Sequence, residues 1–222
     1  MESLNGGNGL RWQPTAHADH EGSAAGTLLD SPIGEIIDTA VSEFSAQACE
    51  LNVAPPFGGF VKVTVPERTV YGVVYAIHTG SLEPGGRAVL RGRDGMRDKA
   101  IFEQNPDLEQ LLRTEFSALV IGFQEGSSLR AFLPPSPPPL HWSVVQCDPA
   151  EIARLSARLD YLRTILSATD APVDALLAAN IRLAAAAHGD DRGFRVKAGR
   201  ELATLLKHDY PRLTSILRAL AD

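Results

Sequence analysis

Residues 59–79, GFVKVTVPERTVYGVVYAIHT, constrain the fold more than any other part of the chain. Val61, Val63 and Val65 alternate with Lys62 and Thr64, the period of two that marks a half-buried strand. Pro66-Glu67-Arg68 supplies a turn in which the fixed φ of proline fits. Val70 to Ile77 follows, apolar on both faces, as expected for a strand buried on both sides. One face of such a strand fills a core, and the other needs a second layer over it.

At 222 residues with 44% hydrophobic content, the chain can bury a substantial core as one large domain or two small ones. A net charge of −6 and a pI near 5.5 argue against a generally basic nucleic-acid binder. Apolar runs fall short of the roughly 20 residues of a membrane span. The start, MESLNGGNGLRWQ, lacks a charged segment followed by an apolar one, so no secretory signal is expected and a cytoplasmic location fits. Cys49 and Cys147, the only cysteines, read as small buried thiols.

Residues 1–30 are rich in Gly, Asn, Ala, Ser and His and read as a flexible tail, with Trp12 the only aromatic in it. Residues 31–147 read as a β domain. Its strands are IGEIID (33–38), VSEFSAQACEL (41–51), the opening hairpin, RAVLRG (87–92), ALVIGF (118–123), LRAFL (129–133) and WSVVQC (142–147). NPDLEQLLRTEF (105–116) reads as one short inserted helix with Asn105 as N-cap and Pro106 at N1. From Asp148-Pro149 the chain reads as all-helical to residue 222. A seam of Ile152, Leu155, Leu159, Leu162 and Leu166 comes first, then helices over about 172–188 and 194–208. A last helix opens at Pro211 with Tyr210, Leu213, Leu217 and Leu220 on one face. The expected fold is therefore α+β: a small barrel of about six strands, followed by three or four helices that dock on the barrel or on a partner.

IGEIID, GGFVKVTVPERTVYGVVYAIHTG, ALVIGFQEG and the proline-rich lead into WSVVQCDPAEI occur in one order. Over about residues 32–150 these segments resemble the HerA–ATP synthase barrel, or HAS-barrel, the N-terminal domain of hexameric ring motors. The helical tail FRVKAGRELATLLKHDYPRLTSILRAL looks like short stand-alone HAS-barrel proteins of cyanobacteria. The resemblance implies a role in ring assembly or partner docking, linked to an ATPase or a DNA-processing complex. The motor itself is missing. A P-loop needs GxxxxGK[ST] opening a helix. The nearest frame, Gly80 to Arg87, has Gly86 in place of the lysine and Arg87 in place of the hydroxyl residue, and a strand-like AVL follows.

Other constellations carry less chemistry. Arg87, Arg91, Arg93, Arg97 and Lys99 form the clearest basic patch, which reads either as a contact for phosphates or an acidic partner, or as a solvated loop paired to Asp94 and Asp98. Pro134–Pro139 contains P-x-x-P frames but lies between two expected strands, where a stiff connector suffices. His17, His20 and Glu21 have a metal-compatible spacing without a rigid frame. No catalytic motif is present, and no cofactor or metal is expected. A hidden enzyme would need Glu35, Asp38 or Glu43 to meet His78 or His141 in a deep pocket. The expected function is a non-enzymatic interaction module, an adaptor or a self-associating (conceivably ring-forming) protein, with Val70, Tyr71, Val73, Tyr75 and Ile77 as the candidate interface. The alternative is nucleic-acid binding through the 87–99 loop and the basic residues Arg192, Arg195, Lys197 and Arg200.

Overall fold

A computed structural model describes residues 31–83, 85–92, 95–189 and 192–221. Trp12, His17, His20, Glu21, Arg93 and Asp94 lie outside them. The hairpin is formed by β3 (Phe60–Val65) and β4 (Arg68–Ser81), which run antiparallel from Val65↔Arg68 to Phe60↔Val73 around the Pro66-Glu67 turn. The other strands are β1 (Gly34–Thr39), β2 (Glu43–Ala48), β5 (Leu112–Glu125), β6 (Ser128–Arg130) and β7 (Ser143–Gln146). Hydrogen-bonded neighbours run β2-β1-β7-β3-β4-β5, and β2 also pairs with β5, so six antiparallel strands close into a barrel. Closure leaves no free edge around the ring. The short β6 hangs outside it as a hairpin on β5.

The alternation along β4 assigns its two faces. Val70 and Val74 point inward with Ile36, Phe44, Val61, Val63, Phe116, Val120 and Val144, which fill the barrel. Tyr71 and Val73 point outward with Phe60, Leu119, Ile121 and Cys147. That outward patch shares one continuous core with the helices. These are α3 (Pro149–Ser156), α4 (Leu162–Leu166), α5 (Val173–Ala187), α6 (Arg192–Leu205) and α7 (Tyr210–Ala221). The second layer that the sequence demanded is the chain's own C-terminal third.

Polar pins set the angle of that layer. Asp148 caps α3 by accepting from the Glu151 N–H, and Glu151 returns the bond to the Asp148 N–H, a capping box. The same Glu151 carboxylate takes both of its 2.9 Å bonds from Lys62 Nζ on β3. On α5, Asn180 is fully buried. It donates to the Gly58 carbonyl (2.9 Å) and accepts from the Tyr161 hydroxyl (2.9 Å). Gly58 is required there: its φ is +81°, and a Cβ would stand 2.8 Å from the Asn180 backbone nitrogen.

Four expectations need correction. Residues 105–116 are not one helix. The insertion carries α1 (Lys99–Gln104) and the single turn α2 (Leu108–Leu111), and Leu112 onward is β5, extended because it pairs with the outer half of β4. Asn105 caps the end of α1 rather than starting a helix, its N–H bonding to the Ile101 carbonyl. The segment 87–92 is not a strand, since β4 and β5 already pair with each other across the insertion. The 152–166 seam is broken into α3 and α4. Ser156 Oγ bonds back to the Ile152 carbonyl, which loosens a helix end, and the Ala157 carbonyl accepts from Lys197 Nζ instead of continuing the ladder. On α7 the buried residues are Leu213 and Ile216, whereas Tyr210 is 75% exposed.

Asn180→Ala leaves the Gly58 carbonyl and the Tyr161 hydroxyl buried without their partner, and should cost about 3 kcal/mol. Asn180→Asp should cost more, because it aims an acceptor at an acceptor. Urea denaturation followed by circular dichroism measures both, and an Asn180→Ala midpoint equal to wild type would refute the role given to this pin.

Candidate functional site

The residues singled out on β4 divide by position. Val70 lies inside the barrel at 1% exposure, and Tyr71 and Val73 lie beneath the helices at 2% and 0%. Tyr75 is half-buried at the margin of the helical layer, and Ile77 is exposed. The pairing explains the difference. β3 stops opposite Val73, and Gly58 and Gly59 add one last pair of bonds to Val74. A bulge at Tyr75 follows, and Ala76–Ser81 then pair with β5 alone. Among the described residues no strand and no backbone group bonds to the other side of Ala76–Ser81. The outer half of β4 is thus an open edge: along Ala76–His78 it borders β5 where β5 also pairs with β2, and only Thr79–Ser81 with Leu112–Thr114 run on as a two-stranded ribbon. Ile77 stands opposite Phe116, and Thr79 bonds across to Thr114 (2.8 Å).

Hydroxyls and a thiol at the barrel–helix seam are held in their neutral forms. Tyr75 donates to Glu43 (2.8 Å). Burial, then the bond to that carboxylate, raises its pKa from near 10 to about 12. Burial likewise raises Tyr71, whose hydroxyl accepts from Arg154 (3.0 Å) and donates to Gln124 (3.3 Å). Burial pushes Tyr161 and the Cys147 thiol well above their ordinary values. Cys49, read from sequence as buried, is exposed. Two hollows, of about 360 and 550 Å³, flank Phe132 along this seam.

The ribbon ends in the insertion, where Arg87 and Arg97 are exposed. Lys99 faces Glu103 at 3.5 Å within α1, and Arg91 faces Asp107, the residue before α2, at 3.9 Å. Val89 and Leu90 stand out at 69% and 83% exposure. The insertion borders an open hollow of about 730 Å³.

Two contacts that sequence spacing could not show bear on catalysis. His141 Nδ1 lies 2.6 Å from Glu35 Oε1, joining residues 106 positions apart, but their side chains are 80% and 56% exposed, which makes this a surface pair outside any deep pocket. Ser156 Oγ lies 2.9 Å from His188 Nε2 and 2.6 Å from the Ile152 carbonyl. A carbonyl only accepts, so the hydroxyl proton goes to Ile152 and His188 donates to Ser156. That serine is fully buried and is not activated by its histidine. Among the described residues no three His, Cys, Asp or Glu side chains converge on a metal position, and no helix is long and apolar enough to cross a membrane. Pro134 and Pro138 are buried, and the Pro138 carbonyl accepts from Thr39, so the proline run lies along the barrel.

The neutral groups of the seam give stability a sign with pH. The folded state keeps Tyr75 protonated up to about 12, while the unfolded chain releases that proton near 10; Cys147, ordinarily near 9, is shifted the same way. Stability is therefore complete below about pH 9 and is lost as pH rises toward 12. Denaturant midpoints should fall steadily across that window, and Tyr75→Phe should flatten the upper part. A midpoint that rises with pH would contradict the assignment. No protein-family model matches this chain, and no curated protein matches it.

Proposed function

We propose that this chain is a non-enzymatic interaction and assembly module of the HAS-barrel kind, and that it associates through the open outer edge of β4. The observation that carries this is the edge of Ala76–Ser81, unpaired among the described residues, which runs from the barrel rim into a two-stranded ribbon. Natural sheets protect such edges with lysine, proline or a covering loop. The stretch Tyr75–Leu82 contains no lysine, arginine, carboxylate or proline, and Ile77 is 44% exposed within it. Strand addition uses such an edge: main-chain bonds supply affinity, and the flanking side chains supply register.

The occupant is a second copy of the chain, added antiparallel. An edge without formal charge meets itself across a two-fold axis without repulsion, and the contact closes at two subunits. A ring would need a second, different surface on each subunit. The faces of Val70, Tyr71 and Val73 are filled by the chain itself, so they support the edge by holding β4 rigid. Nucleic-acid binding through the 87–99 loop is less favoured, because Arg91 and Lys99 already face Asp107 and Glu103.

Size-exclusion chromatography with light scattering should give a dimer. Ile77→Lys, which places like charges across the axis, should shift the protein to monomer with an unchanged circular dichroism spectrum. Wild-type protein that stays monomeric at every concentration would exclude self-association through this edge.

A further inference from the structure

Which backbone groups of the β4 edge face outward follows from the bonds beside it. Leu82 donates its N–H to the Leu111 carbonyl (2.8 Å), so residue 82 faces β5. The ladder from Ala76 to Ser81 is regular, and Gly80, His78 and Ala76 therefore face β5 as well. On the other side of the bulge, Val74 turns its N–H and its carbonyl the opposite way, to Gly59 and Gly58. The extra residue at Tyr75 accounts for the change of parity between the two halves. The outward groups of the edge are those of Ile77, Thr79 and Ser81, and among the described residues no backbone group bonds to them.

We propose that two copies join with their two-fold axis at Thr79, and that His78 of each copy packs over the bare Gly80 of the other. The register rests on self-association through this edge, which by itself leaves the alignment open. With the axis at Thr79, that residue faces its counterpart and Ile77 faces Ser81 of the second copy, so every outward N–H and carbonyl of the stretch is bonded. An axis at Gly80 sets Ile77 against Glu83, whose N–H and carbonyl already bond to Ser81 Oγ and the Gly86 N–H. An axis at His78 sets Ser81 against Tyr75, in the bulge where the ladder is broken, and sets the two imidazoles directly against each other. The Thr79 axis instead places each His78 opposite a glycine. The imidazole already lies above its own Gly80, where a Cβ would stand 2.7 Å from Nε2. Both rings thus lean toward the axis, over two glycines that leave them room.

Amide exchange followed by NMR on the wild-type chain, above and below the dissociation concentration, reads the register. The amides of Ile77, Thr79 and Ser81 should slow together by about tenfold or more in the dimer, whereas His78 and Gly80, already bonded to β5, should change little. Slowing of Ile77 and Thr79 without Ser81 places the axis at His78, and slowing of Thr79 and Ser81 without Ile77 places it at Gly80. Either pattern overturns the proposal while the dimer stands. Gly80→Val keeps a strand-favouring residue but fills the space that His78 needs, and should weaken dimerisation by about tenfold. Unchanged affinity in that variant would overturn the packing of His78 on Gly80. A chain that stays monomeric at every concentration would remove the register together with the self-association beneath it.

Discussion

A strand that is apolar on both faces has to be covered twice, and the rest of this structure depends on that requirement at β4. The inner face closes the barrel with Val70 and Val74, and the outer face recruits the helices through Tyr71 and Val73. Each large apolar side chain moved out of water contributes about 1.5–3 kcal/mol, so the outer patch alone can hold the helical layer in place. Burial of that kind has no direction. Direction comes from polar groups that are satisfied in only one docking geometry: Asn180 on the Gly58 carbonyl, and Lys62 on the residue that also caps α3.

The sequence revealed those features whose cause is local. Alternation placed β1 and β3 within about a residue and found β2 and β4 with ends off by up to four residues, and proline after aspartate placed the start of α3. Failures came where a distant partner decides. Leu111, Leu112 and Phe116 fit a helix face as well as they fit a strand, and only the long reach of β4 makes 112–116 extended. The seam from Ile152 to Leu166 was read correctly as buried or half-buried positions and wrongly as one helix, because spacing reports burial and not continuity. The apolar AVL of 88–90 looked like a strand but has no neighbour to pair with.

The candidate site was legible only as far as β4 itself. Two-sided hydrophobicity marked the strand, but a sequence does not say where its neighbour stops. That boundary, at Val73 on one side and Ser81 on the other, separates the buried half of β4 from the open half. The basic patch was visible as composition; its partners Glu103 and Asp107 were not, because Glu103 meets Lys99 only where 99–104 winds into α1, and Asp107 meets Arg91 only where the chain turns into α2. Chemistry at this end of the molecule is peripheral, while the seam keeps its phenols and thiol neutral.

The four residues of β7 sit between β1 and β3, joining Gly34 to Val144 and Val61 to Gln146. During synthesis the staves on either side are complete long before this one leaves the ribosome. Until residue 146 emerges, β1 and β3 each hold an unsatisfied edge, and the loop to be closed spans about a hundred residues. Cys147 and α3 follow immediately, so the event that seals the barrel also delivers the first turn of the layer that covers it. Closure and capping are coupled in time by their adjacency in the chain. A nascent chain stalled before β7 would present the cell with a half-built sheet, the species most exposed to wrong pairing and to chaperone capture.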